Sequence, residues 1–151
     1  MKNIIKVLEG DSMNFVLPMS IMALIIIILT FRLIFLAGKF IYARHITINQ
    51  FQLYDGEFPD KLKSARYQFQ NMFEIPLLFF PLCIVHMVLE NSTTLDYFFV
   101  WGFVIFRILH MLFRLQNQRG LNIRPRLITF LISLTFLGAG WIKVLLNSIC
   151  I

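Results

Sequence analysis

The sequence predicts an all-α membrane protein built as one bundle of four transmembrane helices. Hydrophobic side chains make up 58% of the 151 residues and charged side chains only 15%, a composition too apolar for a soluble domain of this length. Four apolar runs reach the length of about 20 residues that crosses the hydrocarbon core of a bilayer. The runs are continuously apolar and do not alternate, which favours helices over the strands of a membrane barrel. Residues 1–151 are therefore expected to form a single integral membrane domain.

The predicted spans follow one another along the chain with short connections. They cover residues 15–36, 72–89, 95–115 and 127–146. The second span contains Pro76 and Pro81, and we expect a kink there because proline removes a backbone donor. The polar residues 43–64 contain the turn signals DG at 55–56 and PD at 59–60. This stretch is predicted to be a loop.

Lysine and arginine are distributed unequally among the connections. The first and third connections hold Lys39, Arg44, Lys61, Lys63, Arg66, Arg119, Arg124 and Arg126. The second holds only the acidic Glu90 and Asp96. Under the positive-inside rule the first and third connections are cytoplasmic, and both termini lie on the other side of the membrane. The net charge of +6 then reflects topology, and basic residues divided among membrane-flanking loops are not expected to bind nucleic acid.

Polar side chains within the spans are predicted to gather at the cytoplasmic end. They are Arg32, Asn71, Glu74, Arg107, His110 and Arg114, followed by Arg124 and Arg126 just before the fourth span. The opposite half is expected to hold almost no ionisable side chain below its surface. A charge at the centre of a bilayer costs roughly 2.5 to 3.5 kcal/mol, and an opposite charge on a neighbouring helix relieves this cost. Glu74 and Arg107 are therefore predicted to pair.

The predicted cluster holds more arginine than one carboxylate balances. Its excess positive charge favours an amphiphilic ligand with a carboxylate, because arginine makes bidentate contacts with carboxylates. Polar pairs also join transmembrane helices without doing chemistry, and arginines near helix ends reach lipid phosphates. A ligand site and a structural cluster are therefore both open from the residues alone.

Two segments carry a resemblance: RYQFQNMFEIPLLFF at 66–80 and FRILHMLFRLQNQRGLNIRPRLITF at 106–130. They contain Asn-x-x-Glu-x-Pro, Arg-x-x-His, and an arginine followed four residues later by an aromatic residue, here Arg126 and Phe130. This pattern resembles the MAPEG family, the membrane-associated proteins in eicosanoid and glutathione metabolism. The resemblance implies a four-helix bundle assembled as a homotrimer, with glutathione bound between copies near the cytoplasmic face. It also implies a glutathione-dependent transferase or peroxidase that acts on lipophilic electrophiles or lipid hydroperoxides.

The resemblance further implies individual roles. Arg126 is implied to stabilise the thiolate of glutathione as co-substrate, with Arg124 as the alternative because Pro125 can start the helix at either residue. The residues implied to bind glutathione are Arg44, Gln70, Asn71, Glu74, Arg107, His110 and Arg114. Tyr67 and Gln70 stand where the eicosanoid members carry arginine, and Arg114 stands where they carry tyrosine. The chain thus resembles the bacterial branch of the family, which implies a bacterial inner membrane.

Two function classes stay open. One is the membrane enzyme, and the other is a non-catalytic trimeric membrane protein whose polar cluster serves assembly or binds a lipid-like anion. A metal site is not predicted, because His45, His86 and His110 lie in three separate segments and Cys83 and Cys150 form no C-x-x-C pair.

Overall fold

The structure, a computed structural model, describes residues 13–49, 58–89, 92–116 and 123–149. The helices of these residues are α1 (Met13–Tyr42), α2 (Asp60–Glu74), α3 (Pro76–Leu89), α4 (Thr94–Gln116) and α5 (Arg124–Ile149). Because α2 and α3 follow one another as a single span, the described residues hold four helices long and apolar enough to cross a membrane. The predicted all-α fold with four transmembrane helices is confirmed. The turn signal at 55–56, Glu90, Arg119 and Cys150 lie outside the described residues.

The second span begins earlier than predicted. The structure continues α2 back to Asp60, so the prediction of a loop is wrong for residues 60–64. This part of the chain is polar, but its buried residues Leu62, Ala65, Gln68 and Met72 recur at intervals of three and four. Such spacing makes one helical face, which packs against α1. A search for continuous apolar runs misses an amphipathic helix of this kind.

A kink is predicted in the second span at Pro76 and Pro81, and the structure interrupts the helix at Pro76 but not at Pro81. Helix α2 ends at Glu74 and α3 begins at Pro76, whereas Pro81 lies inside α3 without ending it. Ile75 between them keeps helical dihedral angles, with φ −72° and ψ −44°. The interruption therefore comes from the missing N–H of Pro76, which leaves the carbonyl of Met72 without its usual donor four residues on.

The end of α1 is closed by a Schellman motif. The backbone N–H of His45 donates to the carbonyl of Phe40, and the N–H of Arg44 donates to the carbonyl of Ile41. Arg44 has a φ of 55°, the left-handed conformation that this motif requires at the residue after the helix cap. The backbone at Arg44 thus has a clear structural task.

The core follows a regular stripe on each helix. The buried core residues include Phe15, Met22 and Leu29 of α1, Phe79 and Leu82 of α3, Val100, Phe103 and Val104 of α4, and Leu137 and Val144 of α5. Intervals of seven on α1 and α5 are typical of helices that cross at small angles. The α4–α5 interface is the most extensive, and Gly102 permits it because a Cβ there would lie 2.5 Å from the Phe136 ring.

Candidate functional site

The polar residues meet where α1 and α4 end and where α2 and α5 begin. We call this the basic end of the bundle, and the opposite end, where α3 and α5 end and α4 begins, the far end. Helix α4 supplies Arg107, His110 and Arg114 to the basic end from its buried face. Their spacing of three and four residues keeps all three side chains on that face.

Arg107 is the most deeply buried cation of the basic end, with 0% of its surface exposed. Its Nη2 donates to the backbone carbonyl of Asn71 over 2.6 Å, and the guanidinium carbon lies 5.4 Å from the centre of the Phe130 ring. The other two nitrogens, Nε and Nη1, have no hydrogen-bond partner among the described residues. A buried guanidinium with two unused donors is suited to bind an anion or a polar ligand.

The predicted pair between Glu74 and Arg107 is wrong within this chain. Glu74 lies on the exposed face of α2, and its Oε1 accepts a 2.9 Å hydrogen bond from Nε2 of Gln70. Arg107 instead reaches the backbone next to the interruption at Pro76. The prediction rested on equal depth in the membrane, but Glu74 lies on the exposed face of α2 whereas Arg107 lies on the buried face of α4.

His110 connects α4 to the start of α5. Its Nδ1 lies 2.9 Å from the backbone carbonyl of Arg126. A carbonyl oxygen only accepts, so Nδ1 carries the proton and, in the neutral ring, Nε2 is left as an acceptor. This Nε2 is buried and has no partner among the described residues. His110 therefore fixes the first turn of α5 and presents one free acceptor to the interior.

Arg114 connects α4 to the first half of α2. Its Nη2 donates to the backbone carbonyl of Ser64 over 3.2 Å, and its Nε has no partner among the described residues. Arg126 and Arg32 lie close enough for their charges to act on Arg114. Three arginines from three helices thus share one region of the basic end.

Gln68 is a site residue that the sequence analysis missed. It is buried on α2, and its Oε1 accepts a 2.5 Å hydrogen bond from Nη1 of Arg32 on α1. Its Nε2 has no partner among the described residues. The signal was present, because Gln68 is the one polar residue in the otherwise apolar stripe of Leu62, Ala65 and Met72.

The remaining predicted residues differ in how close they lie to this region. Arg126 is half-buried, and its side chain makes no hydrogen bond or ion pair with a described residue. Arg124 is exposed at the first position of α5. Arg44 is exposed beyond the end of α1, and Asn71 is half-buried with a buried Oδ1 that has no partner among the described residues. The structure therefore separates Arg126 from Arg124 by burial.

Four arginines of the cluster, Arg32, Arg107, Arg114 and Arg126, form no ion pair with a described carboxylate. Asp96, which lies at the far end, is the carboxylate in the ion pairs with His86 and with Lys143. Glu74 is the acidic residue nearest in sequence to the cluster, and its carboxylate accepts a hydrogen bond from Gln70. Among the described residues, these four arginines therefore carry positive charge that no carboxylate pairs with, as the sequence leads us to expect.

The far end contradicts the expectation of an apolar half. Asp96 is 1% exposed, and its Oδ2 accepts hydrogen bonds from the N–H and hydroxyl of Thr93 and from Nζ of Lys143 at 2.6 Å. Nε2 of His86 lies 3.6 Å from Oδ1 of the same carboxylate. The sequence analysis counts Asp96 with the second connection although the third predicted span begins at residue 95, and the structure places Asp96 in the first turn of α4. The contacts between Thr93 and Asp96 cap the start of α4, and the bond from Lys143 joins this cap to α5.

Comparison with known proteins identifies the chain. Comparisons with curated proteins and with solved structures gave no match. The model of the MAPEG family matches residues 15–146, which include all four candidate membrane spans almost entirely. The match also includes every arginine and histidine of the basic end described above. The chain is an integral membrane protein that belongs to the MAPEG family.

Proposed function

We propose that this protein is a membrane-bound, glutathione-dependent transferase or peroxidase that acts on lipophilic electrophiles or lipid hydroperoxides. Membership of the MAPEG family supports a glutathione-related role of this kind. The observation that carries the proposal is the surplus of arginine in the cluster at the basic end: no described carboxylate forms an ion pair with Arg32, Arg107, Arg114 or Arg126. Glutathione is an anionic, cytoplasmic thiol whose two carboxylates match this charge.

The residues present fit such a ligand. Buried polar atoms without described partners occur on four side chains of the basic end besides Arg107, and they include both donors and acceptors: Gln68 Nε2, Asn71 Oδ1, His110 Nε2 and Arg114 Nε. Unpaired buried polar groups are costly, so a mixed set of this size indicates a polar ligand with both kinds of group. Arg107, Arg114 and Asn71 would hold it, together with the exposed Gln70 and Glu74.

Glutathione supplies a thiol, which attacks an electrophilic carbon or a peroxide oxygen once it is ionised. A neighbouring cation favours the thiolate, and we assign this task to Arg126. Its side chain is half-buried and uses none of its donors on described residues, whereas Arg124 is exposed. The hydrogen bond from His110 to the backbone of Arg126 orients the first turn of α5 and so positions that guanidinium.

Assembly and orientation are part of the proposal. We infer a homotrimer, because the family is typically trimeric, and a site between copies would complete the contacts of exposed Gln70 and Glu74. We also infer that the basic end faces the cytoplasm of a bacterial inner membrane, since the basic connections all lie at that end.

Steady-state kinetics with glutathione and a panel of hydrophobic electrophiles and lipid hydroperoxides test the proposal. For Arg126→Ala we expect kcat to fall about a hundredfold with a much smaller change in glutathione affinity, because its charge acts where sulfur is negative. For Asn71→Ala we expect mainly weaker glutathione binding. Arg124→Ala is the matched control. If only that variant loses turnover, Arg124 and not Arg126 stabilises the thiolate.

A structural role for the cluster is the second candidate. It is favoured by the bonds that Arg32, Arg107 and Arg114 each donate to α2 within the chain. Titration with glutathione while thiolate absorbance is followed separates the two, because a purely structural cluster has no reason to lower the pKa of a bound thiol. Absence of both binding and turnover in the unmodified protein would leave the structural role standing.

A further inference from the structure

A groove lies between α1 and α2 at the basic end, apart from the arginine cluster. It encloses about 620 Å³, which falls within the range of about 300–1,000 Å³ for small-molecule sites. The α1 side is apolar and is formed by Leu33, Ile34, Ala37, Gly38 and Ile41. The α2 side adds Phe58 and Leu62, with Lys63, Arg66 and Tyr67 as its polar residues. The two walls therefore differ sharply in chemistry.

The charged side chains among the described residues that line the groove are basic. They are Lys63 and Arg66. Lys63 is exposed and forms no ion pair with a described residue. Tyr67 adds a hydroxyl on the same side. An occupant with an apolar body and an anionic head matches both walls.

The dimensions of the apolar wall match the tail of a lipid. From Leu33 to Ile41 the wall extends about 12 Å along α1, somewhat less than half of the roughly 30 Å hydrocarbon core. Gly38 borders open space, because a Cβ at that position would meet no atom within 4 Å. The basic residues lie on the half of α2 nearer to the connection, where lipid headgroups are found.

We propose that this α1–α2 groove binds an anionic phospholipid, with its headgroup phosphate on Lys63 and Arg66 and an acyl chain along Leu33–Ile41. Arginine and lysine near the membrane surface attract anionic lipids with an energy that adds up over the residues involved. The bound lipid would fill the space between α1 and the amphipathic half of the second span. This inference does not depend on glutathione chemistry, so its failure leaves the proposed function untouched.

Native mass spectrometry of the delipidated full chain in a neutral detergent tests the proposal. Palmitoyl-oleoyl phosphatidylglycerol and palmitoyl-oleoyl phosphatidylcholine are titrated separately, and the affinity of the first bound lipid is compared. We expect selective binding of the phosphatidylglycerol. For Lys63→Gln combined with Arg66→Gln we expect that affinity to fall on the order of thirtyfold. The control, Lys39→Gln combined with Lys61→Gln, removes the same charge at the same end from residues that do not line the groove, and should leave the affinity unchanged.

A second pair of variants tests the apolar wall without changing charge. Gly38→Leu fills the groove and should weaken phosphatidylglycerol binding at least tenfold, whereas Gly38→Ala leaves room for the chain and should bind as the unmodified protein does. Equal binding of the two lipids, equal losses in the test and control variants, or full displacement by millimolar inorganic phosphate would each overturn the proposal. So would oligomerisation that closes the groove to lipid, because a second copy would then be its occupant.

Discussion

The partners of Arg107 decide how its burial is tolerated. One hydrogen bond to the Asn71 carbonyl and the neighbouring Phe130 ring offset part of the cost of a buried charge. A desolvated cation over an aromatic ring contributes about 2 kcal/mol, against roughly 2.5 to 3.5 kcal/mol for an arginine at the centre of a membrane helix. Two of its nitrogens remain without described partners. Binding of an anion there would supply the missing bonds.

Two double-mutant cycles distinguish the observed contacts from the expected pair. Arg32 and Gln68 share a direct hydrogen bond, so Arg32→Met and Gln68→Leu should show a coupling of about 0.6 to 1.7 kcal/mol, the range for polar contacts between membrane helices. Glu74 and Arg107 share none, so Glu74→Ala and Arg107→Ala should add within about 0.5 kcal/mol. Unfolding in detergent with denaturant gives the free energies. Strong coupling of the second pair would mean that it forms between copies of the chain.

Helix α4 contributes to the polar clusters at both ends of the bundle from one buried face. The face runs from Asp96 through Val100 and Phe103 to Arg107, His110 and Arg114, at intervals of three and four. Its middle is apolar and its two ends are ionisable, so the helix is fixed to its neighbours by charge at each end and by packing between them. At the far end the Asp96 carboxylate accepts hydrogen bonds from the backbone N–H and the hydroxyl of Thr93, at the start of α4, and from Nζ of Lys143.

Removal of the Asp96 carboxylate should be far more damaging than removal of another acidic residue in a first turn. We expect Asp96→Ala to cost about 3 kcal/mol of unfolding free energy, because it leaves Lys143 without its partner and Thr93 without its cap. Lys143→Met in that background should recover part of the loss. Asp60→Ala is the matched control, since Asp60 is exposed in the first turn of α2, and its cost should stay below about 1 kcal/mol. Similar losses for the two aspartates would contradict this account.

The whole molecule has two unlike ends. The basic end holds the arginines without described carboxylate partners, and the far end holds the Asp96 carboxylate with its cation and histidine. Large apolar side chains such as Phe31, Phe35 and Ile34 are exposed on α1 between these ends. In a membrane this exposed surface contacts lipid or another copy, because the hydrocarbon core offers no penalty to apolar groups.

The orientation of the bundle is testable with reporters fused to its ends. Since the basic connections favour the cytoplasm, we expect a periplasm-active reporter fused at Ile151 to be active and a cytoplasm-active one to be silent. A fusion within the connection between α4 and α5 is the internal control and should give the reverse result. A cytoplasmic signal at Ile151 would show that the basic end faces away from the cytoplasm and its glutathione, which would contradict the proposed orientation.

The amino-acid sequence by itself determined the fold class, the number of spans and the residue types of the site. These follow from local chemistry, because continuous apolar runs must form helices in lipid and polar residues within them are conspicuous. It also contained the signals for Gln68 and for the amphipathic start of α2, although a search for apolar runs does not detect either.

Only the tertiary structure decided which polar groups meet. Helix rotation sets whether a side chain at a given depth faces a neighbour or lipid, and rotation results from packing of all the helices together. For this reason Arg107 donates a hydrogen bond to a backbone carbonyl, while Glu74 accepts one from Gln70. For the same reason Arg126 is more buried than Arg124. Asp96 is the clearest case. Packing of α5 against the start of α4 brings Lys143 to the Asp96 carboxylate, and this cation stabilises the buried charge. No local sequence pattern predicts this contact.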